Sequence, residues 1–257
     1  MSGHLCLLEY FRHEEQAASL GWNFAPVEGR MVFEPLKWDY VQIVGRSIQY
    51  AHTMLCMGTR GAELLSSLGR LPACTFGTEA YEPDLAVATK RLRLLGAKVL
   101  RPLPDGGLPF GDSFFDLVIN RHEIYVAEEV FRVLKPGGRF ITQQVGRMDN
   151  VELIRALRAP APHAEVGRTL ECATSELTSL GMRIICQVEA LPLVHFYDAG
   201  ILIYYLKAMP YLVPDFSVDT YFDALCEIHE SIQRYGQLST SSHRWLVEAE
   251  KRFDTTH

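Results

Sequence analysis

Four consecutive polar residues directly follow a predicted strand at 115–119: Asn120, Arg121, His122 and Glu123. The carboxyl end of a strand in a parallel sheet is where ligands bind. Histidine suits proton transfer near neutral pH, a neighbouring glutamate can orient the imidazole, and arginine binds anionic groups. We therefore predict His122, Glu123 and Arg121 as a catalytic set. The alternative is that His122 only satisfies a hydrogen bond of its loop.

A second candidate site begins at Gly58, where a predicted strand at 53–57 turns into a helix. The first turn of a helix presents free N–H groups and the positive end of the helix dipole. Glu79 ends the next predicted strand, 21 residues after Gly58. A carboxylate in that place can accept hydrogen bonds from both hydroxyls of a ribose. This order predicts a cofactor that carries a nucleoside, although an ordinary turn and a solvated glutamate would look the same.

Further residues are candidates for substrate contact. Gln143 and Gln144 end a predicted strand at 139–145, and two amides there could fix a carbonyl or hydroxyl group. Tyr204 lies in a predicted helix and suits an aromatic or hydrophobic small molecule, unless it belongs to a core. Trp22 lies in an aromatic-rich N-terminal segment that either packs on the main domain or forms a lid over a pocket.

Composition excludes several classes of protein. The 257 residues are 48% hydrophobic and 22% charged, with a net charge of −6, which disfavours a broad nucleic-acid surface. The six cysteines form no CxxC pair, so we expect reduced thiols in a cytoplasmic protein, with neither a zinc site nor a disulfide framework. The longest apolar run, 199–206, is far shorter than the ~20 residues that span a bilayer. We expect no membrane partner and no metal, and a homodimer is compatible with the sequence.

Strands alternate with helices from residue 38 to residue 188, which predicts a mostly parallel α/β sheet with helices on both faces. The first forty residues contain repeated breakers and are predicted to be irregular. We expect 1–39 to be a lid or cover segment and 40–257 to be the main domain. Residues 191–241 are predicted to form a helical cap inserted before a last strand at 243–249.

Three stretches carry a family resemblance: the turn after residue 57 with Glu79, the run LPFGDSFFDLV at 108–118, and the run VFRVLKPGGRF at 130–140. Together they resemble the class I S-adenosylmethionine-dependent methyltransferases, in particular the ubiquinone/menaquinone-type branch. The resemblance implies a Rossmann-like sheet of seven strands with an antiparallel last strand. It also implies that S-adenosylmethionine lies over Gly58 with Glu79 on its ribose, and that the edge near His122 faces the transferable methyl group.

The first cofactor motif departs from the family pattern, acidic-x-Gly-x-Gly-x-Gly. In this chain Cys56 replaces the acidic residue that helps to hold the methionine end of the cofactor, Arg60 replaces the second glycine and Ala62 the third. Arg60 could intrude into the methionine site, point outward, or bind the cofactor carboxylate. We assign cofactor binding to the residues that the motif and the strand end supply: Cys56, Gly58, Thr59, Arg60, Gly61, Glu79 and Asn120.

Two functions therefore stay open. The first is methyl transfer from S-adenosylmethionine to a small-molecule acceptor. The second is a methyltransferase-like scaffold that works without the cofactor, as a cyclase, lyase or binding protein, because the loop has lost its acidic residue and two glycines. An RNA methyltransferase is a weaker third hypothesis, against which the net charge of −6 counts.

Overall fold

The computed structural model describes residues 2–18, 27–59, 62–160 and 169–253. The chain divides into two compact units. We call the first the sheet unit; it comprises Lys37–Gly146, Arg168–Glu189 and Arg244–His257. We call the second the accessory unit; it comprises Met1–Leu36, Arg147–Gly167 and Ala190–His243.

Helices and strands follow one another along the chain as α1 (Ser2–Ala18), β1 (Met31–Phe33), α2 (Tyr40–Ile48), β2 (Thr53–Met57), α3 (Glu63–Ser67), β3 (Cys74–Thr78), α4 (Glu82–Leu94), β4 (Lys98–Leu100), β5 (Phe115–Arg121), α5 (Ala127–Val133), β6 (Leu134–Val145), α6 (Val151–Ala156), α7 (Leu170–Ser179), β7 (Met182–Ala190), β8 (Leu193–Phe196), α8 (Ala199–Ala208), α9 (Val218–Tyr235), β9 (Leu238–Ser241) and β10 (Arg244–Lys251).

Seven strands of the sheet unit form one sheet in the order β4-β3-β2-β5-β6-β10-β7. The strands β4, β3, β2, β5 and β6 run parallel, and β10 pairs antiparallel with β6. This arrangement confirms the predicted sheet of seven strands, mostly parallel, with an antiparallel last strand. The strands β2 and β5 are neighbours in the sheet. From β2 the chain continues outward to β3 and β4, and from β5 it continues outward in the opposite direction to β6. The loops after those two strands therefore meet at a switch point, where open α/β sheets bind ligands.

Alternate residues of the strands enter cores on opposite faces of this sheet, because side chains of a strand point alternately to either side. Leu55 and Val118 belong to a core that also holds apolar residues of α5 and α7. Their neighbours Cys56 and Ile119 belong to a core that holds residues of α2, α3 and α4. Helices cover both faces, as predicted, so three consecutive residues of β5, Leu117, Val118 and Ile119, are all apolar and buried.

The run LKPGG forms the start of β6. Phe115 pairs with Leu134, whereas Leu117 pairs with Arg139, so four residues of β6 lie opposite a single residue of β5 in a bulge. Within the bulge Gly137 has φ +78°, and a Cβ on Gly138 would lie 2.9 Å from the carbonyl oxygen of Phe115. Glycine is required at both places, by conformation at the first and by close approach at the second.

The accessory unit corrects the prediction for the first forty residues, because 2–18 form the helix α1. Phe11 and Ala18 are buried seven residues apart, which is a helical spacing, in a core with α8 and α9. The predicted cap at 191–241 also contains strands as well as helices. Its β8 pairs antiparallel with β1 and with β9 in a three-stranded sheet. That these segments cover an edge of the main sheet stays a prediction.

Among the described residues, none of the helices combines the length and the hydrophobicity that a bilayer-spanning segment requires.

Candidate functional site

The loop after β2 is held against the end of β3. The N–H groups of Gly58 and Thr59 both donate to the carbonyl oxygen of Thr78, over 3.0 and 3.2 Å. Gly58 has φ +68°, a left-handed conformation that favours glycine. The chain therefore turns sharply at the carboxyl edge of the sheet.

Glu79 lies directly after β3, and both of its carboxylate oxygens are engaged. The hydroxyl of Thr59 donates to Oε2 over 3.1 Å, and the N–H of Tyr81 donates to Oε1 over 3.1 Å. Glu79 is 5% exposed and Thr59 is 2% exposed. Each carboxylate oxygen has a second lone pair, so hydrogen bonds from a ribose remain compatible with these contacts.

Cys56 is fully buried one residue before the end of β2. Burial, with a smaller contribution from the charge of Glu79, raises the pKa of the Cys56 thiol to about 12. The thiol is therefore neutral at physiological pH and supplies no negative charge to this edge of the sheet.

Glu123 reaches the loop after β2 from the loop after β5. A Cβ placed on Gly58 would lie 2.6 Å from Cγ and from Oε2 of Glu123, and 2.7 Å from its Cβ. The carboxylate of Glu123 thus packs over the glycine of the cofactor motif. It brings a carboxyl group to Gly58, two residues after the neutral thiol of Cys56.

A buried polar cluster joins the ends of β5 and β6. Oδ1 of Asn120 accepts from the hydroxyl of Thr142 over 3.1 Å and from Nε2 of Gln144 over 2.5 Å. The same nitrogen of Gln144 lies 3.0 Å from the carbonyl oxygen of Glu123. Asn120 and Thr142 are completely buried. These bonds fix the direction in which the chain leaves β5.

His122 adopts the left-handed conformation, with φ +57°, and its N–H donates to the carbonyl oxygen of Gln143. Its ring nitrogen Nε2 lies 3.3 Å from Nε2 of Gln143. The carbonyl oxygen of the Gln143 side chain accepts from the indole N–H of Trp38 over 2.8 Å. The imidazole is therefore tied through one amide to a residue that lies just before α2.

Arg121 points toward α2. Its guanidinium carbon lies 5.8 Å from the centre of the Tyr40 ring, a cation–π distance. The Tyr40 hydroxyl is buried and donates to the carbonyl oxygens of Asn120 and Ile141, over 2.9 and 3.2 Å. Burial, the largest cause, raises the pKa of Tyr40 well above its ordinary value.

The structure brings together most of the predicted site in the sheet unit: Cys56, Gly58, Thr59, Glu79, Asn120, Arg121, His122, Glu123, Gln143 and Gln144. Tyr204 belongs to the accessory unit, where it is 2% exposed within the core. Arg60, Gly61 and Trp22 lie outside the described residues. The roles assigned to all of these residues stay predictions.

Sequence reasoning missed two contributors to this site, Trp38 and Thr142. Thr142 lies two residues before Gln144 on β6, so the alternation of the strand could have placed it beside the predicted amide. Trp38 lies 105 residues from Gln143. No local pattern signals that pairing. Among the described residues no group of three or more His, Cys, Asp or Glu side chains is placed to hold a metal ion.

Comparison with solved structures identifies the fold. A protein from Bacillus halodurans C-125, described provisionally as a methyltransferase, matches 82% of this chain and 100% of its own, with a TM-score of 0.56 and 15% identity. YcgJ from Bacillus subtilis matches 83% of this chain and 98% of its own, with a TM-score of 0.58 and 15% identity. The fold is that of the class I methyltransferases.

A third solved structure with the same fold is the [4+2]-cyclase SpnF. It matches 93% of this chain and 97% of its own, with a TM-score of 0.54 and 14% identity. No family model matches the sequence. No curated protein matches it either. The comparisons therefore establish the fold, and identities this low carry neither the activity nor the branch of the family.

Proposed function

We propose that this chain is an S-adenosylmethionine-dependent methyltransferase that acts on a small molecule. The observation that carries the proposal is the pairing of Thr59, in the loop after β2, with Glu79, which directly follows β3. The buried carboxylate of Glu79 is fixed by hydrogen bonds beside the turn at Gly58, where it can accept hydrogen bonds from the hydroxyls of a ribose. The fold shared with methyltransferases supports the same conclusion.

When bound, the cofactor supplies an electrophilic methyl group. The residues proposed to hold it are Glu79 at the ribose, with Gly58 and Thr59 in the loop. Glu123 lies over Gly58 and offers a carboxylate to the cationic end of the cofactor, in place of the acidic residue that Cys56 replaces. His122 and Arg121 are proposed to contact the acceptor, since they end the neighbouring strand. Methyl transfer depends on alignment, which rigid strand ends provide.

Isothermal titration calorimetry with S-adenosylmethionine and S-adenosylhomocysteine tests this proposal. We expect both to bind, and we expect Glu79→Gln to weaken binding by about 10- to 150-fold, the effect of losing a hydrogen bond to a charged group. Glu82→Gln is a matched control, because Glu82 lies three residues on, is exposed and pairs with Arg101. If neither compound binds at millimolar concentration, the proposal is overturned.

A second candidate is a scaffold that works without the cofactor, as a cyclase, lyase or binding protein. It is favoured by the neutral thiol of Cys56 and by the Glu123 side chain that packs over Gly58. The similarity in fold to a [4+2]-cyclase is compatible with it. A folded protein that binds neither S-adenosylmethionine nor S-adenosylhomocysteine would favour this candidate. A search by mass spectrometry for a co-purified ligand would then identify its class.

A further inference from the structure

Three side chains of the sheet unit form a hydrogen-bonded series that ends at His122. The indole N–H of Trp38 donates to Oε1 of Gln143 over 2.8 Å, and Nε2 of Gln143 lies 3.3 Å from Nε2 of His122. Gln143 is 2% exposed, so its amide is shielded from water. The chemistry of these groups determines where the protons are.

Trp38 decides the orientation of the amide. An indole nitrogen can only donate a hydrogen bond, so the atom of Gln143 that faces it must be the carbonyl oxygen. The amide NH₂ therefore faces His122, and it too can only donate. Nε2 of His122 must then accept, which leaves the proton of the neutral imidazole on Nδ1.

The other arrangements each set two donors against one another. Turning the Gln143 amide by 180° would place its NH₂ against the indole N–H of Trp38. Protonating His122 at Nε2 would place a ring N–H against the amide NH₂. Both arrangements leave the NH₂ of the buried Gln143 without an acceptor, which is disfavoured about 5- to 150-fold.

Each charged residue next to His122 in the chain contacts a residue of another element. Arg121 lies over the ring of Tyr40, and Glu123 packs against Gly58. The strand β6, which contains Gln143, ends near His122 with two neutral amides, Gln143 and Gln144. From α2, Tyr40 is the titratable neighbour, and its hydroxyl donates to two backbone carbonyls.

We propose that Trp38 and Gln143 are positioning residues that hold His122 as the neutral imidazole protonated at Nδ1. The relevance of this protonation state to a reaction rests on the proposed function. The protonation state itself does not depend on that function. With Nε2 already accepting a hydrogen bond, His122 does not collect a proton there. A hydroxyl or carboxyl acceptor bound at this edge must then arrive ionised, as a carboxylate or an acidic phenol does, or lose its proton to another group.

Imidazole ¹⁵N–¹H correlation spectra of the protein without cofactor test the proposal, because they distinguish the two neutral tautomers and the cation. The resonances are assigned by loss of the His122 signals in His122→Asn. At pH 7.5 we expect the Nδ1–H form of His122 to exceed the Nε2–H form by at least about fivefold, the effect of leaving the buried amide donor unsatisfied. Trp38→Phe keeps an aromatic ring without its N–H, so the amide can turn and the ratio should fall several-fold.

Two further variants sharpen the result. Gln143→Glu replaces the donor by a carboxylate, which should reverse the preference to Nε2–H and raise the midpoint of the imidazole titration. Tyr40→Phe is the control, because it removes a hydroxyl from the same region without touching the series, and the tautomer ratio should not change. Circular dichroism confirms that each variant is folded.

A predominantly Nε2–H or cationic His122 in the unmodified protein would overturn the proposal, as would a ratio unchanged by Trp38→Phe in folded protein. Calorimetry with S-adenosylmethionine reports separately on the proposed function. Failure to bind the cofactor would leave the tautomer measurement valid, and a wrong tautomer would leave cofactor binding intact.

Discussion

Thr59 donates its hydroxyl to Glu79, with Oγ1 and Oε2 3.1 Å apart across 20 residues of chain. Both side chains are nearly inaccessible to solvent. The methyl group of Thr59 packs on β3 as well, since a Cβ on Gly77 would lie 2.5 Å from it. One residue of the loop after β2 thus fixes both the carboxylate and the spacing between two strand ends.

Thr59→Val tests this double role, because valine keeps the shape and removes the hydroxyl. A buried carboxylate that loses a donor is destabilised, so we expect the free energy of unfolding to fall by about 1–3 kcal/mol in urea denaturation. Thr59→Ser is the matched control; it keeps the hydrogen bond and loses only the methyl contact. If Thr59→Val proves more stable than Thr59→Ser, the hydrogen bond is not the main contribution of this residue.

Gly58 is predicted to resist substitution for two separable reasons. An L-residue at φ +68° is strained, and its Cβ would overlap Glu123. Gly69 has φ +71° with no atom near an added Cβ, so Gly69→Ala measures the backbone effect alone. We expect Gly69→Ala to lower the free energy of unfolding by about 1 kcal/mol, and Gly58→Ala to lower it by about 2–3 kcal/mol.

A double variant then isolates the contact with Glu123. Glu123→Ala removes Cγ and the carboxylate but keeps Cβ, so it should recover part of the loss in Gly58→Ala and none in Gly69→Ala. Equal unfolding free energies for Gly58→Ala and Gly69→Ala would contradict the contact.

The stretches that make the fold recognisable from sequence owe their pattern to structural requirements. Asp116 accepts from the backbone and hydroxyl of Thr53 and from Lys135, so it joins the starts of β2, β5 and β6. Arg132 donates to the carbonyl oxygens of Leu108 and Phe110 and thereby holds the loop before β5. These residues specify the sheet, which explains why the fold could be predicted while the activity could not.

Local patterns also account for what was missed. The N-terminal prediction gave weight to the breakers between 26 and 35 and overlooked the helical spacing of Phe11 and Ala18 in α1. The strands β1 and β8 are three and four residues long, and they pair Met31 with Phe196 across most of the chain. Short strands whose partners are this distant leave no periodic signal. The contact of Trp38 with Gln143 is invisible for the same reason.

Arg60 gives a prediction from the sequence alone, since it lies outside the described residues. We expect it to pair with the cofactor carboxylate, so Arg60→Gly should weaken S-adenosylmethionine binding by about 1.5–3 kcal/mol in calorimetry. Arg60→Lys is the matched variant and should retain part of the affinity. If Arg60 instead intrudes into the methionine site, Arg60→Gly should strengthen binding, and an unchanged affinity would contradict both versions.

The pairing of Asp116 with Lys135 predicts a pH dependence of stability. Burial alone would raise the pKa of Asp116, but hydrogen bonds from the Lys135 ammonium and from Thr53 outweigh it and lower the pKa to about 2. A carboxyl group whose pKa is lower in the folded than in the unfolded chain stabilises the fold above its unfolded pKa of about 3.9. That stabilisation is lost as the pH falls toward 2.

Asp116→Asn should therefore lower the free energy of unfolding at pH 7 by about 1–2 kcal/mol. This value is reduced for screening by solvent, because Asp116 is 25% exposed and Lys135 is 37% exposed. The difference in unfolding free energy between the variant and the unmodified protein should shrink in urea titrations repeated from pH 5 to pH 3. Over this range the unmodified protein begins to lose the stabilisation that the Asp116 carboxylate provides. Asp112→Asn is the matched control, because Asp112 is 78% exposed in its pair with Arg132 and such pairs contribute little. A difference between Asp116→Asn and the unmodified protein that stayed constant over this range would show that the loss comes from packing rather than from the charge of Asp116.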